Sequence, residues 1–70
     1  MIRSRLYNPV IKAVSYEAET RTMVIELVQD RVVRHSPVPY ETYLLLVNSR
    51  FPEKVYRHQV KGVIPEITKG

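Results

Sequence analysis

Arg50, Lys54, Arg57 and Lys61 recur at i, i+4, i+7 and i+11, the spacing that sets four cations along one side of a helix. Phe51, Val55, Tyr56 and Val60 fall around the opposite side of the same wheel, so one side is basic and the other apolar. A row of cations can meet a phosphate backbone, and such contacts supply most of the sequence-independent affinity of proteins for nucleic acid. An ordinary solvated helix has the same look: cations suit the C-terminal end of the dipole, and Glu53 stands among them. Arg34 and His35, at the end of a strand-like run, are the other residues suited to an anionic partner. The candidate nucleic-acid contacts are therefore Arg34, His35, Arg50, Lys54, Arg57 and Lys61.

No constellation for catalysis or metal binding is expected. His35 and His58 are the only histidines, and neither has a carboxylate at ligand spacing. Glu17 and Glu19 fall in a polar turn, without the shielding pocket a general acid needs. Ser4, Ser15, Ser36 and Ser49 lack a nucleophile elbow, and the only glycines, Gly62 and Gly70, make no phosphate loop. The chain has no cysteine, so neither a disulfide framework nor a Cys-based zinc site is available. We expect no enzymatic activity, no cofactor and no metal.

The elements that must position these residues are short. Val10–Tyr16 is β-branched and aromatic, with Val10, Val14 and Tyr16 sharing a face at period two with Lys12. The polar run 17–22 joins it to a second strand, 23–28, whose Met23, Ile25 and Leu27 face the core while Val24 and Glu26 face out. Gln29-Asp30-Arg31 makes a tight turn, Asp30 tolerating the left-handed conformation, and Val32–His35 completes the meander. The prolines of Ser36-Pro37-Val38-Pro39 end it, and Pro39 suits a helix start. Tyr40, Tyr43, Leu44 and Val47 then share a helical face, which Leu45 and Leu46 widen. Asn48-Ser49 stops that helix, Pro52 opens another, and Gly62 ends it. The tail from Val63 reads as extended and partly loose. The expected architecture is α+β: a three-stranded antiparallel meander followed by two short helices, β-β-β-α-α, as one domain over residues 9–65 with extensions at 1–8 and 66–70.

At 70 residues there is room for one small core, near the limit at which burial outweighs chain entropy. The expected core is Val14, Tyr16, Met23, Ile25, Leu27, Leu44, Val47, Val55 and Val60. Tyr16, Tyr40, Tyr43 and Tyr56 coincide with packing faces and read as core or core rim; only Tyr7 is unassigned. Leu45 and Leu46 lie off the main packing face, which predicts a homodimer or an apolar partner site covering them. No run of apolar residues reaches the roughly 20 needed to span a membrane, and none behind Arg3 and Arg5 resembles a signal-peptide core, so a cytoplasmic protein is expected. The formal net charge of +4 favours anionic partners.

Val10–Glu17, the Thr20–Met23 turn, Val38-Pro39 before an aromatic-rich helix, and Tyr56–Gly62 together resemble the KTSC domain, a family named for its occurrence at the C-terminus of some lysyl-tRNA synthetases and also found as stand-alone small bacterial proteins. The resemblance covers about Pro9 to Pro65 and implies a compact α+β domain for which RNA binding is proposed. The family's central Tyr-x-Tyr falls here on Val33-Arg34-His35, so both tyrosines are replaced. Asp30 stands where a turn glycine is usual, and 48–52 lacks the glycine usual between the helices. These departures imply a divergent member. The function expected is a non-enzymatic module contacting RNA or another anionic partner through the basic helix face; the alternative is a protein-interaction domain acting through a sheet edge or an apolar helix face.

Overall fold

Four strands, not three, form the sheet. The computed structural model describes residues 2–67, and the strands are β1 (Ile2–Arg5), β2 (Ile11–Glu17), β3 (Thr22–Leu27) and β4 (Val32–His35), antiparallel in the order β1-β2-β3-β4. The expected three-stranded meander is thus corrected by one N-terminal strand. Ile2-Arg3-Ser4-Arg5 has a single apolar residue and no alternation to betray it. It is a strand because the outer edge of β2 offers it a ladder, Ile2 opposite Tyr16 through Arg5 opposite Ala13.

A bulge sets the faces of β2. Ile11 pairs with Leu27 but Ala13 pairs with Glu26, so one extra residue is inserted at Lys12. The insertion resets the alternation and turns Ile11, rather than Val10, to the side of Val14 and Tyr16. Ile11 is accordingly buried and Val10 exposed, opposite to the strict period-two expectation. Asp30 (φ 59°) takes the left-handed conformation in the β3–β4 turn, and Arg21 (φ 55°) does so before β3.

Two helices, α1 (Tyr40–Asn48) and α2 (Pro52–Val55), cover one face of the sheet, and α2 continues into a π-helical turn over Tyr56–Val60. Between them and the sheet lie Ile11, Val14, Tyr16, Met23, Ile25, Val33, Val38, Tyr43, Leu46 and Val60, with Leu27, Val47, Val55 and Tyr56 at the rim. Leu44 is a correction: it is 37 % exposed, while Leu46 is wholly buried and Leu45 is 53 % exposed. Because α1 is apolar nearly all round, periodicity alone does not fix its rotation. Tertiary contacts do so: the Tyr43 hydroxyl meets Ser4 Oγ of β1 at 2.7 Å, and its ring stacks on Tyr16 with centroids 5.2 Å apart. This turns Tyr43, Leu46 and Val47 inward at i, i+3, i+4 spacing.

The tail is not loose over its described part. Gly62 (φ 80°) turns the chain, Ile64 N–H donates to the Val60 carbonyl at 2.8 Å, and Glu66 forms an antiparallel bridge with His35. Ser36 N–H donates to Pro65 O, and Ile67 N–H to Arg34 O, so residues 65–67 cover part of the outer edge of β4.

Candidate nucleic-acid interface

The basic residues of the second helix do not share one continuous α-helical stripe. Arg50 precedes α2, Lys61 follows its last turn with extended backbone (ψ 122°), and the π-helical turn between Tyr56 and Val60 winds more slowly than the wheel that aligned them. The fold regroups these cations. Lys54 Nζ lies 4.9 Å from the ring centroid of Phe51, itself 56 % exposed. Arg57 and Lys61 line a cleft of about 210 Å³ with Val10, Ile11, Leu27, Glu53 and Tyr56. Arg50, Lys54, Arg57 and Lys61 are all exposed.

The other two candidate contacts part company. In β4 successive side chains point to opposite faces. Arg34 opposes Val24 and stands exposed on the uncovered face of the sheet, away from the helices. His35 turns inward and is 2 % exposed. Its Nδ1 lies 3.1 Å from the Ile64 carbonyl oxygen, which can only accept, so Nδ1 carries the proton. Nε2 then accepts from the Tyr56 hydroxyl at 3.0 Å, and the two rings meet edge to face. With both nitrogens committed inside the fold, His35 has no surface to offer an anion. The family's tyrosine pair falls at Val33 and His35, both inward-facing, so these positions serve the core side of the sheet rather than an exposed platform.

On the uncovered face, Arg3 reaches diagonally across β2 to Glu26, with Nε–Oε2 at 3.0 Å and Nη2–Oε1 at 3.3 Å, over the small side chains of Ala13 and Ser15. The hydrogen bond and the charge of Arg3 hold the Glu26 carboxyl below the usual carboxylate range, and Glu26 raises the Arg3 guanidinium in turn. Among the described residues this is the one ion pair within 4 Å. Burial, and then the nearby negative charge of Glu66, push the Tyr56 phenol upward, with Arg31 opposing.

A feature that periodicity could not reveal is the anchoring of Glu53. Asn8 folds back on its own loop, its Oδ1 accepting from Val10 N–H at 2.8 Å and Ile11 N–H at 3.0 Å. Its amide nitrogen donates to Glu53 Oε2 at 3.0 Å, while Oε1 is buried without a hydrogen-bond partner among the described residues. The one sequence signal was Asn8 before Pro9, a turn-former 45 residues from its partner. Among the described residues no three His, Cys, Asp or Glu side chains gather as a metal site, and no helix is long and apolar enough to cross a membrane.

The model of the KTSC domain matches residues 8–63 of the chain. The crystal structure of a KTSC domain protein from Yersinia pestis superposes with a TM-score of 0.88 at 14% identity, over 99% of this chain and 97% of that one, a likeness of fold. No curated protein matches the sequence.

Proposed function

Because the chain belongs to the KTSC domain family, which brings a scaffold but no reaction to reason from, we propose that it is a small non-catalytic binding module whose helix-side cations meet the phosphates of RNA. The reading is carried by one observation. Lys54, Arg57 and Lys61 stand exposed along one short segment, and none has a carboxylate within ion-pair distance among the described residues. Unpaired cations keep their full attraction for phosphate. The exposed Phe51 ring beside Lys54 adds a stacking surface of the kind that accompanies cations in single-strand binders. Arg50 extends the contact at its near end, whereas Arg34 faces the other side of the sheet and would meet only a partner that wraps the domain.

Fluorescence anisotropy with single-stranded, duplex and transfer RNA across a salt series tests this. Binding should weaken steeply with salt, and changing Lys54, Arg57 and Lys61 together to Gln should lower the slope by about three, about one per lost phosphate contact. A flat salt dependence in the unaltered protein would overturn it.

A second reading rests on Leu44 and Leu45, which α1 leaves exposed beside Glu41, Asn48 and Ser49 in a shallow groove. A homodimer or protein partner covering them would be seen by sedimentation, and would be lost on Leu45→Glu. The sheet-edge version of that reading is weaker. One edge, β1, is only four residues long with two arginines, and the other is partly covered by residues 65–67.

A further inference from the structure

On the premise that the segment from Lys54 to Lys61 meets RNA, we propose that the cleft beside Glu53 receives a guanine base and gives the module a sequence preference. Three features of the cleft bear on its ligand. Its walls of Val10, Ile11, Leu27 and the Tyr56 ring suit a flat, weakly polar face. Its volume of about 210 Å³ is below the roughly 300–1,000 Å³ of sites for drug-sized molecules, which leaves room for a single ring system. Its charged groups are of opposite kinds, the Glu53 carboxylate against the cations Arg57 and Lys61.

The carboxylate is built in. Asn8, fixed by its own loop, holds Oε2, while Oε1 is buried with no donor among the described residues. A charged oxygen that has lost its hydration without gaining a donor is costly to the fold, and an N–H that reaches it recovers that cost. The terminal torsion of a glutamate is soft, so the carboxylate can rotate part way, bringing Oε1 to the cleft and exchanging the Asn8 bond on Oε2 for the ligand's donors, without moving the helix. Arg57 and Lys61 decide what brings the N–H. They repel a cationic donor and attract a ligand that carries negative charge elsewhere. A neutral ring with N–H donors joined to phosphate, a nucleotide, meets both demands.

Among the four bases guanine fits best. Its Watson–Crick edge presents two adjacent donors, N1–H and the N2 amino group, which match the two oxygens of a carboxylate. Adenine and cytosine set a ring-nitrogen acceptor beside their amino group, and uracil flanks its one N–H with carbonyls; each would face the carboxylate with a lone pair. Guanine of an RNA strand and a free guanine nucleotide share this chemistry.

Anisotropy with short oligouridines carrying one central G, A, C or U separates the outcomes. The G oligomer should bind about tenfold tighter than the other three. Glu53→Gln, which keeps the volume and an acceptor for Asn8, should reduce that preference to less than about twofold and leave the salt slope unchanged. Amide resonances of Ile11, Glu53 and Arg57 in the unaltered protein should move with GMP and not with AMP, which decides the matter even if Glu53→Gln does not fold. GMP binding as tightly as the G oligomer assigns the site to a free nucleotide, and weaker binding assigns it to RNA. Equal affinity for all four oligomers with a steep salt slope, or a preference that survives Glu53→Gln, overturns the base site while the phosphate reading stands. A flat salt slope with no oligomer bound overturns both.

Discussion

Leu44, Leu45 and Leu46 are chemically identical neighbours whose exposures are 37 %, 53 % and 0 %, so truncating each in turn measures how α1 is rotated. Leu46 is enclosed by the main apolar cluster. Leu46→Ala removes buried methyl groups and leaves a cavity, at a cost of about 2–5 kcal/mol. A domain of 70 residues has roughly 4–10 kcal/mol of stability in all, so this one change removes a fifth or more of it. Each kcal/mol shifts the melting temperature of so small a domain by about 4–8 °C, and the drop should therefore be about 8 °C or more. Leu45→Ala should stay within about 0.5 kcal/mol of the parent, since a surface position loses little and alanine is the better helix former. Leu44→Ala should fall between, at about 1 kcal/mol, in proportion to its partial burial. The chain has no tryptophan, so urea and thermal unfolding are followed by far-ultraviolet circular dichroism. A loss at Leu44 equal to or larger than that at Leu46 would refute the rotation and the core assignment that follows from it.

Tyr56→Phe removes the hydroxyl that donates to His35 Nε2 and should cost about 1–3 kcal/mol in urea unfolding by leaving a buried acceptor unpaired; an unchanged midpoint would mean the imidazole is satisfied by another group. The same residue predicts an alkaline limit. Its folded pKa is raised, by burial first and Glu66 second, so the fold favours the neutral phenol. Stability from this group is complete below the unfolded tyrosine value of about 10 and is lost as pH rises through the folded value. Ultraviolet titration, taken as the difference between the parent and Tyr56→Phe, should show a phenol that ionises later than in the urea-unfolded chain, and Glu66→Gln should move it part of the way back.

Where local chemistry decided the structure, it was readable. Met23 and Ile25 alternate inward as their period predicts, Asp30 takes its left-handed turn, and Pro52 opens a helix. Three features were settled by partners distant in sequence and were not readable. Ile2–Arg5 becomes a strand through the ladder β2 offers. The bulge at Lys12 inverts the roles of Val10 and Ile11, and nothing in Val10-Ile11-Lys12-Ala13 announces an inserted residue. The rotation of α1 is fixed by Tyr43 against Ser4 and Tyr16, whereas five consecutive apolar residues from Tyr43 to Val47 fit more than one face. At the candidate site, the cations were visible as types and their exposure followed. Their grouping depended on a π-helical turn that an ideal wheel does not contain, and the inward turn of His35 depended on Tyr56 and Ile64, which lie 21 and 29 residues further along.

His35 also governs how the domain opens. Its ring is the point where three stretches of chain meet: β4 carries it, the π-helical turn supplies Tyr56, and the C-terminal segment supplies the Ile64 carbonyl, with Glu66 paired to the His35 backbone alongside. A terminal segment held only by surface contacts frays at almost no free-energy cost and exchanges its amide hydrogens freely. Here, lifting residues 64–67 away strips a partner from a buried imidazole, and withdrawing the π-helical turn strips the other. Each partial opening therefore leaves a polar ring stranded in the core, which makes half-open forms costly compared with the closed one. The stretch from Tyr56 to Ile67 is thereby coupled to the sheet, and its amide protection should rise and fall with that of β4 rather than with that of a loosely held segment.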